Sequence, residues 1–245
     1  MYFHNKKGQV TIFIIIAVIV VAGVGLFFVF NDNIRNNLFA SGADRINVFV
    51  EECIEDVGSE AVFGIGNRGG YFVPVNLSTK LGTPYYFSDN KSYMPSKEKV
   101  AYGISEYVNE RLSFCVNDFE DFSDLEINSG EVNTETEINE DNVILNVDYP
   151  LTIIQGEDES QIDSFNVKVD VRMGLVYDAI QQFVSEHTNT IDICLTCLYN
   201  LMVEEDLFVE MTTIENGNVI FVVRDENSEI NGEYFEYAFA MNRSV

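Results

Sequence analysis

The sequence predicts an α+β protein carried behind an apolar N-terminal helix. Val10–Phe30 is an uninterrupted apolar run apart from Thr11 and its glycines. Apolar side chains then recur at helical spacing in several later segments. Between these helices the period changes to two, over about 125–172 and again over 207–241. With 47% hydrophobic and 13% aromatic residues the chain can bury a core, which argues against disorder.

The apolar run of 21 residues spans about 30 Å as a helix, the thickness of a bilayer core, and predicts a single transmembrane helix over 10–30. A cleaved secretory signal has an apolar region of only about 7–15 residues and a small-residue site close behind it. Here the nearest such site, Ala40-Ser41-Gly42-Ala43, lies too far along. Residues 31–44 are polar with a Ser-Gly break at 41–42, readable as a short stalk or as continued helix. Val50, Cys53, Ile54, Val57 and Ala61 then predict an amphipathic helix up to residue 66. It runs into Gly64-Ile65-Gly66-Asn67-Arg68-Gly69-Gly70, which matches G-x-G-x-x-G literally. A dinucleotide site needs a strand before those glycines and a helix after them; here the helix comes first, so the glycines read as a helix stop.

Residues 71–95 read as an aromatic loop with Tyr85-Tyr86-Phe87 at its centre. Ser96 is placed to cap a helix over about 96–118, with Val100, Ile104, Tyr107, Val108, Leu112, Cys115 and Phe119 on one face. Three antiparallel strands follow, Val132–Ile138, Val143–Ile154 and Phe165–Val171, the last two joined by a turn at Gly156-Glu157-Asp158-Glu159. Helices are expected over about 173–187, with Val176, Ile180, Phe183 and Val184 inward, and over 191–204. Strands Leu207–Ile214, Val219–Arg224 and Tyr234–Ala240 close the chain, with Asn216-Gly217 as a hairpin turn and Asn231-Gly232 in a longer second turn. The expected organisation is a cytoplasmic leader 1–9, the transmembrane helix 10–30, a stalk and amphipathic helix 31–66, and an extracellular α+β head 67–245.

Charge divides the chain. The net charge is −26, but residues 1–31 hold Lys6 and Lys7 and no acid, leaving 12 Lys+Arg against 40 Asp+Glu beyond them, or −28. A pI near 4.1 leaves no basic footprint for nucleic acid. Lys6 and Lys7 before the apolar run are matched in number by Arg35 and Arg45 after it, but Asp32 and Asp44 flank the arginines and no acid compensates the lysines. The N-terminus is therefore expected in the cytoplasm and the bulk outside, in the cell membrane.

Lys6-Lys7-Gly8-Gln9-Val10-Thr11 followed by the apolar run resembles the class III signal peptides of archaeal type IV pilins and archaellins. The resemblance implies cleavage by a leader peptidase between Gly8 and Gln9, and lateral packing with copies of itself or with other pilin-like subunits. Many pilins carry Glu at the fifth mature position; here that position is Phe13. The remainder also resembles a family of archaeal surface proteins with no assigned activity.

Four cysteines allow three pairings. Cys53 and Cys115 lie on the apolar faces of two predicted helices, and Cys194 and Cys197 form C-x-x-C. An oxidising exterior favours Cys53–Cys115 with Cys194–Cys197. A redox dithiol at Cys194/Cys197 is the sharper alternative, though such motifs follow a strand and this one follows a helix. A four-thiolate zinc site usually needs two close pairs, and there is one. His187, the only histidine beyond the leader, continues an apolar stripe at a helix C-terminus, where a cation also suits the helix dipole. Asp225, Asn227 and Glu229 alternate like the start of an EF-hand loop, but Ile230 stands where glycine is required, so a solvated hairpin turn is expected. Asn76, Asn90 and Asn242 open N-x-S/T sequons, which suit an outside domain.

Neither G-x-S-x-G nor H-E-x-x-H occurs. The expectation is a non-enzymatic surface protein without metal or cofactor, anchored in the bilayer through residues 10–30 and structural in role. The alternatives are a tethered monomeric binding module, with aromatics around Tyr85–Phe87 as its surface, and a thiol–disulfide oxidoreductase using Cys194 and Cys197.

Overall fold

A computed structural model of the chain describes Val20 and residues 41–187, 195–214, 217–230 and 232–242. The leader, residues 31–40 of the stalk and the span predicted over 10–30 lie outside the described residues, save Val20, which is helical and exposed. Among the described residues no helix is long and apolar enough to cross a membrane. By its contacts the chain divides into Met1–Asn47 and Val48–Val245.

Ser41, in the first unit, does not break the chain but opens helix α1, Gly42–Asn67, which from Val48 onward belongs to the second unit. Its hydroxyl accepts from the Asp44 N–H at 3.2 Å, and the Asp44 carboxylate accepts from the Ser41 N–H at 3.1 Å. This is a reciprocal capping box, S-x-x-D, and it satisfies donors that a bare helix start would leave orphaned.

The second unit is α+β, as predicted, with two sheets. The first is mixed and has the order β2-β1-β9-β8-β7. Its strands are β1 (Tyr85–Ser88), β2 (Lys91–Ser92), β7 (Phe208–Thr213), β8 (Val219–Ile230) and β9 (Glu233–Met241). The second is antiparallel: β3 (Glu126–Ser129), β4 (Asn133–Ile138), β5 (Val143–Gln155) and β6 (Asp158–Val169). Both β3 and β4 pair with one edge of β5, β4 along 143–148 and β3 along 151–154, while β6 takes the other edge. The gap between them falls at Pro150, which has no N–H to give a ladder, and the β5–β6 register shifts at the same place. Helices α2 (Lys97–Val116), α3 (Met173–His187) and α4 (Leu195–Glu204) complete the fold.

Several expectations are corrected. Residues 71–95 are not all loop: Tyr85–Ser88 forms β1, which lies parallel to β9, so the sheets are not wholly antiparallel. The region 125–172 contains four strands, and β6 begins at Asp158, leaving a tight turn at Gly156-Glu157. β8 extends to Ile230, which pairs with Glu233, so the second C-terminal turn is short.

The core is built where helices meet both sheets. Along α1, a Cβ at Gly58 would run into the Leu145 side chain of β5, and one at Gly66 would lie 2.6 Å from the Glu236 carbonyl of β9. The part of α1 from Val48 onward therefore lies against both sheets. It stops in a Schellman turn: the Gly70 N–H donates to Ile65 O at 2.8 Å, and the Gly69 N–H to Gly66 O at 2.9 Å. Gly69 and Gly70 have φ of +58° and +77°, which L side chains rarely adopt, so the glycine-rich run is a helix stop as expected. On α2, Ser96 caps through its hydroxyl to the Lys99 N–H, and Val100, Ile104, Val108 and Leu112 are buried. On α3, Val176, Ile180, Phe183 and Val184 are buried, and Phe183 meets Phe221 edge-on at 5.4 Å.

Candidate functional site

The predicted bridge Cys53–Cys115 forms, joining α1 to α2 with a Cα–Cα distance of 5.7 Å. Cys53 is buried, and the partner cysteine on α2 is half-buried. Cys197 is half-buried on α4, and Cys194 lies outside the described residues, as do Gly8 and Gln9. Among the described residues no cysteine is a free thiol. The side chain of His187, the last residue of α3, is likewise outside them.

The other predicted positions scatter. Asn76 and Asn90 are exposed, Asn90 in the β1–β2 turn at φ +58°. Asn242 is half-buried, and its amide donates to the Ser88 hydroxyl at 3.4 Å. Tyr85–Phe87 is not the exposed aromatic surface expected of a binding module: Tyr86 and Phe87 are 0% and 3% exposed. The Tyr86 hydroxyl reaches Gly69 O at 3.0 Å and the Tyr237 hydroxyl at 2.9 Å, donating its single proton to one at a time. Burial first, then Tyr237, raises the pKa of Tyr86 far above its ordinary value.

The segment Asp225–Ile230 is not a solvated turn either. The β8–β9 register shifts between Asp225 and Glu229, so the intervening residues form a bulge inside a strand. Asp225 and Ser228 are 0% and 1% exposed. Arg172, in the link between β6 and α3, donates from Nε at 3.0 Å and from Nη2 to the Asp225 carboxylate. Ser228 Oγ donates to the same carboxylate at 2.5 Å and accepts from the Arg172 N–H at 2.8 Å. The guanidinium occupies the carboxylate that a cation would need, and the Asn227 amide turns away to Asp206. Among the described residues no group of three or more His, Cys, Asp or Glu side chains could hold a metal.

Two surfaces on α2 remain. On one side Phe72 stacks on Tyr107 at 4.6 Å, and the Arg111 guanidinium lies over the rings of Tyr107 and Phe114 at 5.5 and 5.8 Å. Phe114 is 73% exposed. Arg68 donates to Phe72 O at 3.0 Å, and the Tyr107 hydroxyl donates to Glu60 at 2.6 Å. Burial and then Glu60 raise the Tyr107 pKa, while the positive fields of Arg111 and Arg68 oppose them. Tyr107, Arg111 and Phe114 are spaced i, i+4, i+7, a signal readable in the sequence but obscured by assigning Tyr107 to the core face.

On the other side a groove of about 620 Å³ runs between α2 and β4. Its wall carries the 63%-exposed Tyr102 and three carboxylates, Glu98, Glu106 and Glu135. Lys97, its one cation, is held by Asp178 at 2.7 Å. Across the floor, Ser105 and Thr136 hydroxyls meet at 2.8 Å. One helical turn along α2 and two residues along β4, Asn109 Oδ1 and Thr134 Oγ1 are buried with no hydrogen-bond partner. Comparison of the chain with protein-family models, with curated proteins and with solved structures gives no match.

Proposed function

We propose that the chain is a single-pass, membrane-anchored, outward-facing surface protein with a pilin-like N-terminus, a non-enzymatic head and a structural, assembly role. The observation that carries this reading is the junction of Lys6-Lys7-Gly8-Gln9 with the apolar run Val10–Phe30. The Cys53–Cys115 bridge supports an oxidising location for the head, since persistent disulfides belong to such compartments. In this reading the apolar helix holds the protein in the bilayer and, after cleavage, packs laterally against its neighbours.

N-terminal sequencing of the protein purified from native membranes tests it. The expected first residue is Gln9; an intact Met1 removes the processed-subunit reading and leaves the anchor. Protease added to intact cells is expected to degrade the head and spare the apolar segment. A tethered binding module is the second reading, favoured by the groove beneath α2 and no longer by Tyr85–Phe87. It predicts an intact N-terminus and a monomer.

A further inference from the structure

We propose that the arginine–aromatic ladder on one side of α2 docks into the acidic groove on the opposite side of α2 in a second copy of the chain, joining the heads head to tail. The proposal rests on the assembly reading above and names its contact.

Helix geometry separates the two surfaces. The ladder residues Tyr107, Arg111 and Phe114 and the groove residues Tyr102, Glu106 and Asn109 share the spacing i, i+4, i+7, offset by five residues. Five residues turn a helix by about 140°, so one helix presents both stripes on nearly opposite sides. Such a contact is heterologous: each copy offers its ladder to one neighbour and its groove to another, and the arrangement repeats. An isologous contact between two grooves would bring like charges together.

Charge selects the occupant. Beyond residue 31 the chain has 12 basic against 40 acidic side chains, so a local excess of cations is rare on its surface. At Tyr107 the Arg111 guanidinium lies over the ring, Arg68 holds the carbonyl of the stacked Phe72, and Glu60 is taken up by the Tyr107 hydroxyl. Among the described residues neither Arg68 nor Arg111 makes a salt bridge; one is held by a carbonyl and the other by aromatic faces. A guanidinium stacked on rings keeps its N–H edge free and loses little freedom on binding, as interface anchors do.

The groove is the complement. It offers carboxylates from α2 and β4 and an exposed ring, and its volume falls in the range of about 300–1,000 Å³ of ordinary binding sites. Two of its lining residues carry unpaired buried atoms: Asn109 Oδ1 is an acceptor lacking a donor, and Thr134, 7% exposed, leaves its hydroxyl unpaired. Guanidinium supplies five donors and no acceptor, which suits carboxylates and a carbonyl acceptor together.

The test uses the full-length chain in phosphatidylcholine vesicles, with a benzophenone-bearing amino acid in place of Phe114. Irradiation is expected to give an adduct of twice the chain mass, its cross-link mapping by mass spectrometry to 98–109 or 133–138. Arg111→Glu is expected to lower the yield about tenfold, the scale of one close charge pair. The swap Arg111→Glu with Glu106→Arg is expected to restore it, with circular dichroism confirming the fold of each variant. A yield no higher than from the same probe at exposed Leu81, a cross-link mapping elsewhere, or a folded swap that stays low overturns the contact. Native protein that begins at Gln9, together with no such adduct in the vesicles, overturns this contact alone, whereas native protein with Met1 intact overturns the processed-subunit reading and leaves the contact to the cross-linking result.

Discussion

Asp225 is a carboxylate with no exposed surface, and four donors converge on it: two from Arg172, the Ser228 hydroxyl, and the Asn227 N–H at 3.1 Å. Burial by itself raises its pKa, but the hydrogen bonds from Arg172, Ser228 and Asn227 outweigh that and hold it below the ordinary carboxylate value. A group whose folded pKa is depressed stabilises the fold above its unfolded pKa, about 3.9, and that contribution is lost as pH falls through the lower folded value. Stability is therefore expected to decline in the acid range below about pH 4. Asp225→Ala strands the Arg172 guanidinium and the Ser228 hydroxyl together, and is expected to cost about 3–5 kcal/mol in urea unfolding. It should also flatten the acid decline. A loss under 1 kcal/mol would show that Arg172, 21% exposed, rehydrates freely once its partner is gone.

The link from α1 to α2 is the strongest element-scale constraint. Its bridge spans 62 residues, and closing a loop of that length removes about 4 kcal/mol of denatured-state entropy in the chain-entropy model. Cys53→Ser with Cys115→Ser is expected to lower unfolding stability by that order, measured by guanidinium titration with the wild type under non-reducing conditions. A loss below about 1 kcal/mol would mean that packing around Gly103 and Ile65, where a Cβ would sit 2.9 Å from Ile65 Cδ1, already holds the helices together. These helices were legible in the sequence because period, cap and stop agree: Ser96 before α2, the glycine run after α1, buried residues at i, i+4, i+8. The S-x-x-D box at Ser41 was equally local and could have been read. What local pattern cannot carry is pairing across the chain. β1 is four residues and becomes a strand through β9, about 150 positions away, by parallel bonds that leave no hairpin signature. The charged stretch after Arg224 looks like a turn because its partner, Arg172, lies 53 residues upstream. The bridge was legible in the candidate surface, whereas the ladder and groove needed both sides of α2 to be assigned.

For the whole molecule, −26 divides into a basic leader and a −28 remainder, and any assembly of such heads sets long-range repulsion against short-range attraction. The two respond differently to salt. At about 0.01 M the Debye length is about 30 Å, so whole heads repel; near 0.15 M it is about 8 Å, and repulsion between surfaces beyond the contact is largely screened. A guanidinium–carboxylate pair in contact survives that screening and weakens only towards 1 M, where the length falls to about 3 Å. Cross-linking from position 114 is thus expected to rise between about 0.01 and 0.15 M salt and to fall again towards 1 M. The stacked rings leave a residual yield that salt does not remove, since burial of apolar surface is not screened. Arg111→Glu adds to the repulsion and deletes the attraction, so its yield should stay low until high salt and never reach a maximum. A wild-type yield that only falls from the lowest salt onward would mean that attraction already dominates at long range, which a −28 surface meeting its own kind does not permit.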